Sequence, residues 1–235
     1  MMRNDLIRSN PLRGLEHEGS ALLSPGGLGV VLSPAGVGKT AFVVQIAIDA
    51  MLRGEKVLHI SLNDSIDKIT LWYRELFLNI VGHHNLERPD DTWQSILPLR
   101  FIMTFKIARF STPILEERLA DLMEQDIFKP SLLAIDALAF ADNDIPGIAE
   151  LKSLVERRNM SLWITGNSHR DDERGPDGIP ARLSPVIDHV DRILELIPGE
   201  ESINVRSLKG LPDKSTDTGL YLDPATMLIH VRDRD

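Results

Sequence analysis

At 235 residues the chain fits one large α/β domain able to bury its own core. It contains no cysteine, which excludes a disulfide framework and thiolate metal ligation. Its 35 acidic and 26 basic residues leave a formal charge of −9, and no segment gathers Lys and Arg into a stripe that would offset the repulsion of a polyanion, so duplex nucleic acid is a poor default partner.

Residues 1–25 show little periodicity and hold Asn10-Pro11 and Ser24-Pro25; they read as an N-terminal arm, with residues 26–235 as a single domain. Met1 to Asp5 is polar with no apolar stretch behind it, and the longest apolar run, residues 41–52, is broken by Gln45 and Asp49. Neither secretion nor membrane spanning is expected, and the expected setting is cytoplasmic. The apolar run 28–32 predicts a buried strand, and the almost wholly apolar 39–51 a helix packed against a sheet. After Gly54, residues 56–62 predict a second strand, with Asn63, Asp64 and Ser65 offered as N-caps. Ile66, Ile69, Trp72, Tyr73, Leu76, Phe77 and Ile80 form one helical stripe that Gly82-His83-His84 is expected to end.

Residues 84–98 look irregular, 99–105 strand-like and 113–126 helical. The run 132–136 predicts a buried strand with an acid at its C-terminal end; 146–158 predicts a helix and 161–165 a strand. Strands alternating with helices imply a parallel sheet covered on both faces. The short runs 190–196, 202–208, 219–223 and 227–231 have no long helices between them and predict an antiparallel extension.

Chemistry concentrates in Ser33-Pro34-Ala35-Gly36-Val37-Gly38-Lys39-Thr40, followed by Ala41. This matches the phosphate-binding pattern G-x-x-x-x-G-K-[ST], with Ser33 where the first glycine is expected. Small residues there let backbone N–H groups turn onto phosphate oxygens at the positive end of the following helix. Lys39 would reach the β- and γ-phosphates, Thr40 would ligate Mg²⁺, and Asp136 would hold the ion from the strand end; the competing reading of Asp136 is a cap on the next turn.

Gly26-Gly27, the phosphate loop and above all residues 53–62 (Arg-Gly-Glu-Lys-Val-Leu-His-Ile-Ser-Leu) together resemble the RecA-fold ATPases of the KaiC type. The resemblance implies a RecA-like three-layer α/β/α fold with a mostly parallel central sheet and an antiparallel C-terminal extension. It also implies ATP with Mg²⁺, and assembly into homo-oligomeric rings, commonly hexamers, with nucleotide at subunit interfaces.

Two departures from that pattern bear on activity. Relatives end the second strand with Phe and two glutamates, the first activating the attacking water; this chain has Leu62, Asn63 and Asp64. Asn63 orients a water without accepting its proton, and slow hydrolysis survives if Asp64 reaches in; alternatively both residues only cap the next helix. Where relatives carry Lys-x-Arg-Gly to touch a neighbour's γ-phosphate, this chain has Ser207-Leu208-Lys209-Gly210 preceded by Arg206. Lys209 keeps a charge but not the guanidinium fork, and Arg206 alternates with Leu208.

After Thr165, Asn167 and His169 stand where a γ-phosphate sensor is expected. The loop 170–185 matches in position the one that meets single-stranded DNA in recombinases and ring helicases, yet its arginines are offset by acids and it has no aromatic residue on which a base could stack. His83-His84 lacks a third ligand at useful spacing. Trp93, in a loop, is a candidate to stack on adenine, and Ser215, Thr216 and Thr218 offer hydroxyls for self-phosphorylation. The leading expectation is a slow regulatory ATPase coupled to oligomer state or a protein partner. The alternatives are a single-strand-dependent motor and a non-hydrolysing nucleotide-binding scaffold.

Overall fold

The computed structural model describes residues 3–16, 21–138, 145–168, 171–211 and 216–232. His169, Arg170 and Ser215 therefore lie outside the described residues. Nine strands form one sheet: β1 (Leu28–Ser33), β2 (Val57–Ser61), β3 (Arg100–Thr104), β4 (Leu132–Asp136), β5 (Ser161–Asn167), β6 (Arg192–Pro198), β7 (Ile203–Lys209), β8 (Asp217–Leu222) and β9 (Ile229–Val231). Their order is β3-β2-β4-β5-β1-β6-β7-β8-β9. The first six positions are parallel; β7, β8 and β9 add in antiparallel fashion, as the short C-terminal runs predicted.

Helices cover both faces, as a buried parallel sheet requires. Helices α1 (Arg3–Ser9), α2 (Lys39–Leu52), α3 (Ile66–His84) and α4 (Pro89–Ile96) lie on one face. Helices α5 (Thr112–Glu124) and α6 (Ile145–Arg158) and the 3-10 helix Ala181–His189 lie on the other. Alternation along each strand assigns its residues to these layers: Val57 packs under α2 and α3, Leu58 under α5 and α6. Among the described residues no helix is long and apolar enough to cross a membrane.

Two segments depart from the sequence-based expectation, the N-terminal arm and residues 84–98. The N-terminal arm is structured: α1 and the 3-10 helix Pro11–Leu15 bury Leu6, Leu12 and Leu15 in the same core as α2. It is fastened by charge as well, since the fully buried Asp49 on α2 receives Arg13 and, at 3.0 Å, Arg53, while Asn10 donates to it at 2.9 Å. Burial of a carboxylate is tolerable when donors surround it in this way. Residues 84–98 are not irregular: Pro89 opens α4, with Asp90 and Asp91 in its first turn, where carboxylates favour the helix dipole. Helix α3 runs through His84 and ends on Asn85 in the left-handed region (φ 49°), and its N-cap is Ser65, whose hydroxyl accepts from the Lys68 N–H.

Gly29 in β1 lies opposite Trp163 of β5, and a Cβ built there would come within 2.6 Å of the Trp163 ring. Trp163, fully buried, thus occupies the room that glycine leaves. Gly29→Ala should destabilise the fold by roughly 1–3 kcal/mol through overpacking, read as a lower denaturant midpoint at unchanged slope.

Candidate functional site

Because β1, β2, β4 and β5 run parallel, their C-terminal ends reach one edge of the sheet, where ligands of open α/β folds bind. β1 ends at Ser33, and the chain turns through Pro34 to Gly38 into α2. Gly36 (φ 77°) and Gly38 (φ 112°) hold left-handed backbone, which a side chain would strain. Gly38 is the N-cap of α2 and no side chain caps that end, so the first-turn N–H groups of Lys39, Thr40 and Ala41 point out of the helix unclaimed by a cap. Ser33 in the first-glycine place causes no strain, since it is the extended last residue of β1. Its hydroxyl donates to the Pro34 carbonyl at 2.8 Å and gives Lys39 an acceptor.

The Lys39 ammonium is folded onto the loop, donating to Ser33 O (3.1 Å), Ser33 Oγ (3.2 Å) and Pro34 O (3.0 Å). Burial lowers its pKa, opposed by the Asp136 carboxylate. Asp136 is buried and its two oxygens are held from two elements: Thr40 Oγ1 donates to Oδ2 at 2.7 Å, and Thr165 Oγ1 donates to Oδ1. Thr165 in turn accepts from the N–H of Ala137 at 2.8 Å, a residue in the left-handed region (φ 68°). A non-glycine residue in that conformation is costly and persists because its surroundings hold it. Among the described residues Asp136 is thus bound by two hydroxyls. Thr40 and Asp136 converge as two oxygen donors, the chemistry a hard cation such as Mg²⁺ takes, with phosphate and water completing its shell.

The other candidates distribute as follows. Asn167 ends β5 beside Ser33, its side chain exposed and its carbonyl accepting from Arg182. Asn63 is exposed just past β2. Asp64 accepts from Lys68 at 2.8 Å, one turn on, and its own N–H donates to Ser61 Oγ. Arg206 is bound within the chain to Glu195 at 2.7 Å, and Arg174 forks onto the same carboxylate at 2.6 and 3.2 Å. Glu195 lies on β6, almost wholly buried, and with Pro34, Ser168 and the two arginines lines a cleft of about 350 Å³ beside the phosphate loop. A register shift in the β6–β7 pairing inserts Leu208, which turns Lys209 to the Arg206 face; its ammonium donates to the Ile187 carbonyl at 2.6 Å.

Other features are absorbed by packing. Trp93 on α4 packs against Phe77 (ring centroids 5.0 Å apart) and near Arg100 at the start of β3, the end of the sheet away from the phosphate loop. The Thr218 hydroxyl is engaged between β7 and β8, donating to Val205 O. His83 meets a third imidazole, His230, at 5.2 Å between centroids; nevertheless, among the described residues no group of three or more His, Asp or Glu is arranged to hold a metal ion.

Two residues of the site escape sequence reasoning. Thr165 becomes meaningful only because β5 lies beside β4. His59, inside β2, is fully buried with Nδ1 3.1 Å from the Tyr73 hydroxyl. Desolvation lowers the His59 pKa to about 4, with Arg100 assisting and Asp136 opposing. Since the ordinary value is about 6.5, the unfolded chain takes up the proton first. Stability linked to this group is complete above about pH 6.5 and is lost as pH falls toward about 4. Unfolding titrations should show His59→Phe losing less stability than wild type between about pH 6 and about pH 5, the difference approaching 1.4 kcal/mol per pH unit.

No known protein-family model matches the chain, and no functionally characterised protein matches it.

Proposed function

We propose that the protein is a RecA-like P-loop ATPase of the KaiC type that binds Mg·ATP tightly, hydrolyses it slowly, and couples its nucleotide state to oligomer formation or a protein partner. The observation that carries this reading is the joint geometry of the Lys39–Ser33 loop and the Thr40–Asp136–Thr165 triad at an uncapped helix N-terminus. That arrangement suits phosphate with its cation. Further support comes from the mostly parallel sheet with an antiparallel extension, which agrees with the fold the resemblance implies.

In this scheme the α2 N–H groups cradle the phosphates, and Lys39 leaves its loop carbonyls for phosphate oxygens, exchanging neutral acceptors for charged ones. Thr40 and Asp136 are the residues that would hold Mg²⁺, and the ion would supply charge neutralisation at the phosphoryl group. Slow turnover follows from the residues past β2. Asn63 has no basic site to accept a proton, and Asp64 is turned onto Lys68 of its own helix. The single-strand motor reading loses support, because Arg174 is engaged by Glu195 and Arg182 by Asp172 and the Asn167 carbonyl.

Phosphate release by wild type should run well below the roughly 1–1,000 per second of typical enzymes, with Lys39→Ala abolishing it and weakening ATP retention. Size measurement with and without Mg·ATP should show a nucleotide-dependent oligomer. Fast, Lys39-dependent turnover stimulated by single-stranded DNA would sink the proposal in favour of a motor. Retention of ATP with no ADP formed would reduce the protein to a scaffold.

A further inference from the structure

Below the candidate metal acid lies a buried polar pair that the phosphate chemistry leaves unused. Ser61 of β2 is the strand partner of Asp136, and His59 is the partner of Ala134. Strand alternation therefore turns His59, Ser61, Ala134 and Asp136 to the same side of the sheet, toward α2 and α3. His59 is fully buried, its Nδ1 engages Tyr73 of α3, and its Nε2 has no partner in the protein among the described residues. A ring nitrogen buried without a hydrogen bond is unfavourable, and a phenyl ring would fill the same room without that cost. The position makes sense if Nε2 has a ligand.

The surroundings limit what that ligand is. The charged groups acting on His59 are Asp136 and Arg100. The Arg100 guanidinium lies over the Tyr73 ring, 4.6 Å from its centroid, on the far side of the pair. Each Asp136 oxygen accepts one hydroxyl hydrogen bond, so the carboxylate retains lone pairs for another donor. His59 and Asp136 are diagonal neighbours on one face of the parallel β2–β4 pair, a separation across which a single water can join two polar side chains.

We infer that His59 is a positioning residue for the metal ion of this site, its Nε2–H engaging the Asp136 carboxylate through one buried water while the Tyr73 hydroxyl, donating to Nδ1, fixes the ring's tautomer and orientation. The inference rests on the Mg-nucleotide reading above. It makes Asp136 a carboxylate held from three directions: Thr40 on the helix side, Thr165 on the neighbouring strand, and His59 from beneath. Loosening the third leaves the phosphate loop intact and lowers the ion's affinity, as partners of metal ligands generally do.

The test compares full-length wild type with His59→Phe, Tyr73→Phe and the double variant, measuring ADP binding by calorimetry in a chelator and across a MgCl₂ titration. Metal-free ADP affinity should stay within about twofold, whereas the Mg²⁺ concentration giving half its effect on ADP binding should rise roughly tenfold in His59→Phe and less in Tyr73→Phe. The double variant should match His59→Phe, because both changes remove one coupled unit. An unchanged Mg²⁺ half-effect in the single variants would overturn the inference, as would an equal loss of metal-free ADP affinity, which marks general damage. If His59→Phe does not fold, Tyr73→Phe, which loses a single hydroxyl, carries the same comparison. A wild type that binds no ADP overturns the underlying nucleotide reading, and this inference with it.

Discussion

A carboxylate buried at the end of a parallel strand must find donors or give up its charge, and Asp136 finds two hydroxyls from elements distant in sequence. Thr40 belongs to the first turn of α2 and Thr165 to the strand between β4 and β1, so the two bonds fix the phosphate loop, the acid strand and the intervening strand in one relation. The left-handed Ala137 is a local consequence: its N–H reaches the same Thr165 oxygen that serves the acid. Pre-organisation of this kind lets a site receive a cation and an anion without rearranging its frame.

The same sheet edge sets apart the groups that the proposed binding of Mg·ATP would use from those that its turnover would need. What binding needs lies in backbone N–H groups, Lys39, Thr40 and Asp136, all set by strand ends and a helix start. On the proposed reading fast turnover would need a base beyond β2, and there the chain supplies an amide, Asn63, and an acid paired with its own helix, Asp64. On the other side of the loop, Glu195 occupies both arginines that face the cleft beside Pro34. A charge free to meet an incoming phosphate there first has to leave a buried carboxylate, and such an exchange is selective for strong anions.

Much of this was legible in the sequence, for physical reasons that differ by element. Strands β1, β2 and β4 are mostly apolar because both their faces are buried, and the glycines and Lys39 match the pattern of a phosphate-binding turn. Helix α4 was hidden: it is short and mostly polar, and only Trp93 and Ile96 face inward, so periodicity had too few turns to register. The N-terminal segment was hidden because its anchors, Leu6, Leu12 and Leu15, are spaced by a helix and then a 3-10 turn, and its tie of Arg13 to Asp49 spans 36 residues. Thr165 and His59 carry no local signal at all, since their roles depend on which strands become neighbours.

The ion cluster around Asp49 has one more consequence. Helix α2 begins at the phosphate loop and ends where Arg13 and Glu16 of the N-terminal segment grip Asp49 and Arg53. Helix α2 thus runs from the candidate phosphate loop to the N-terminal segment, about 21 Å at the usual helical rise. The N-terminal segment is thereby tied through one helix to the candidate phosphate loop.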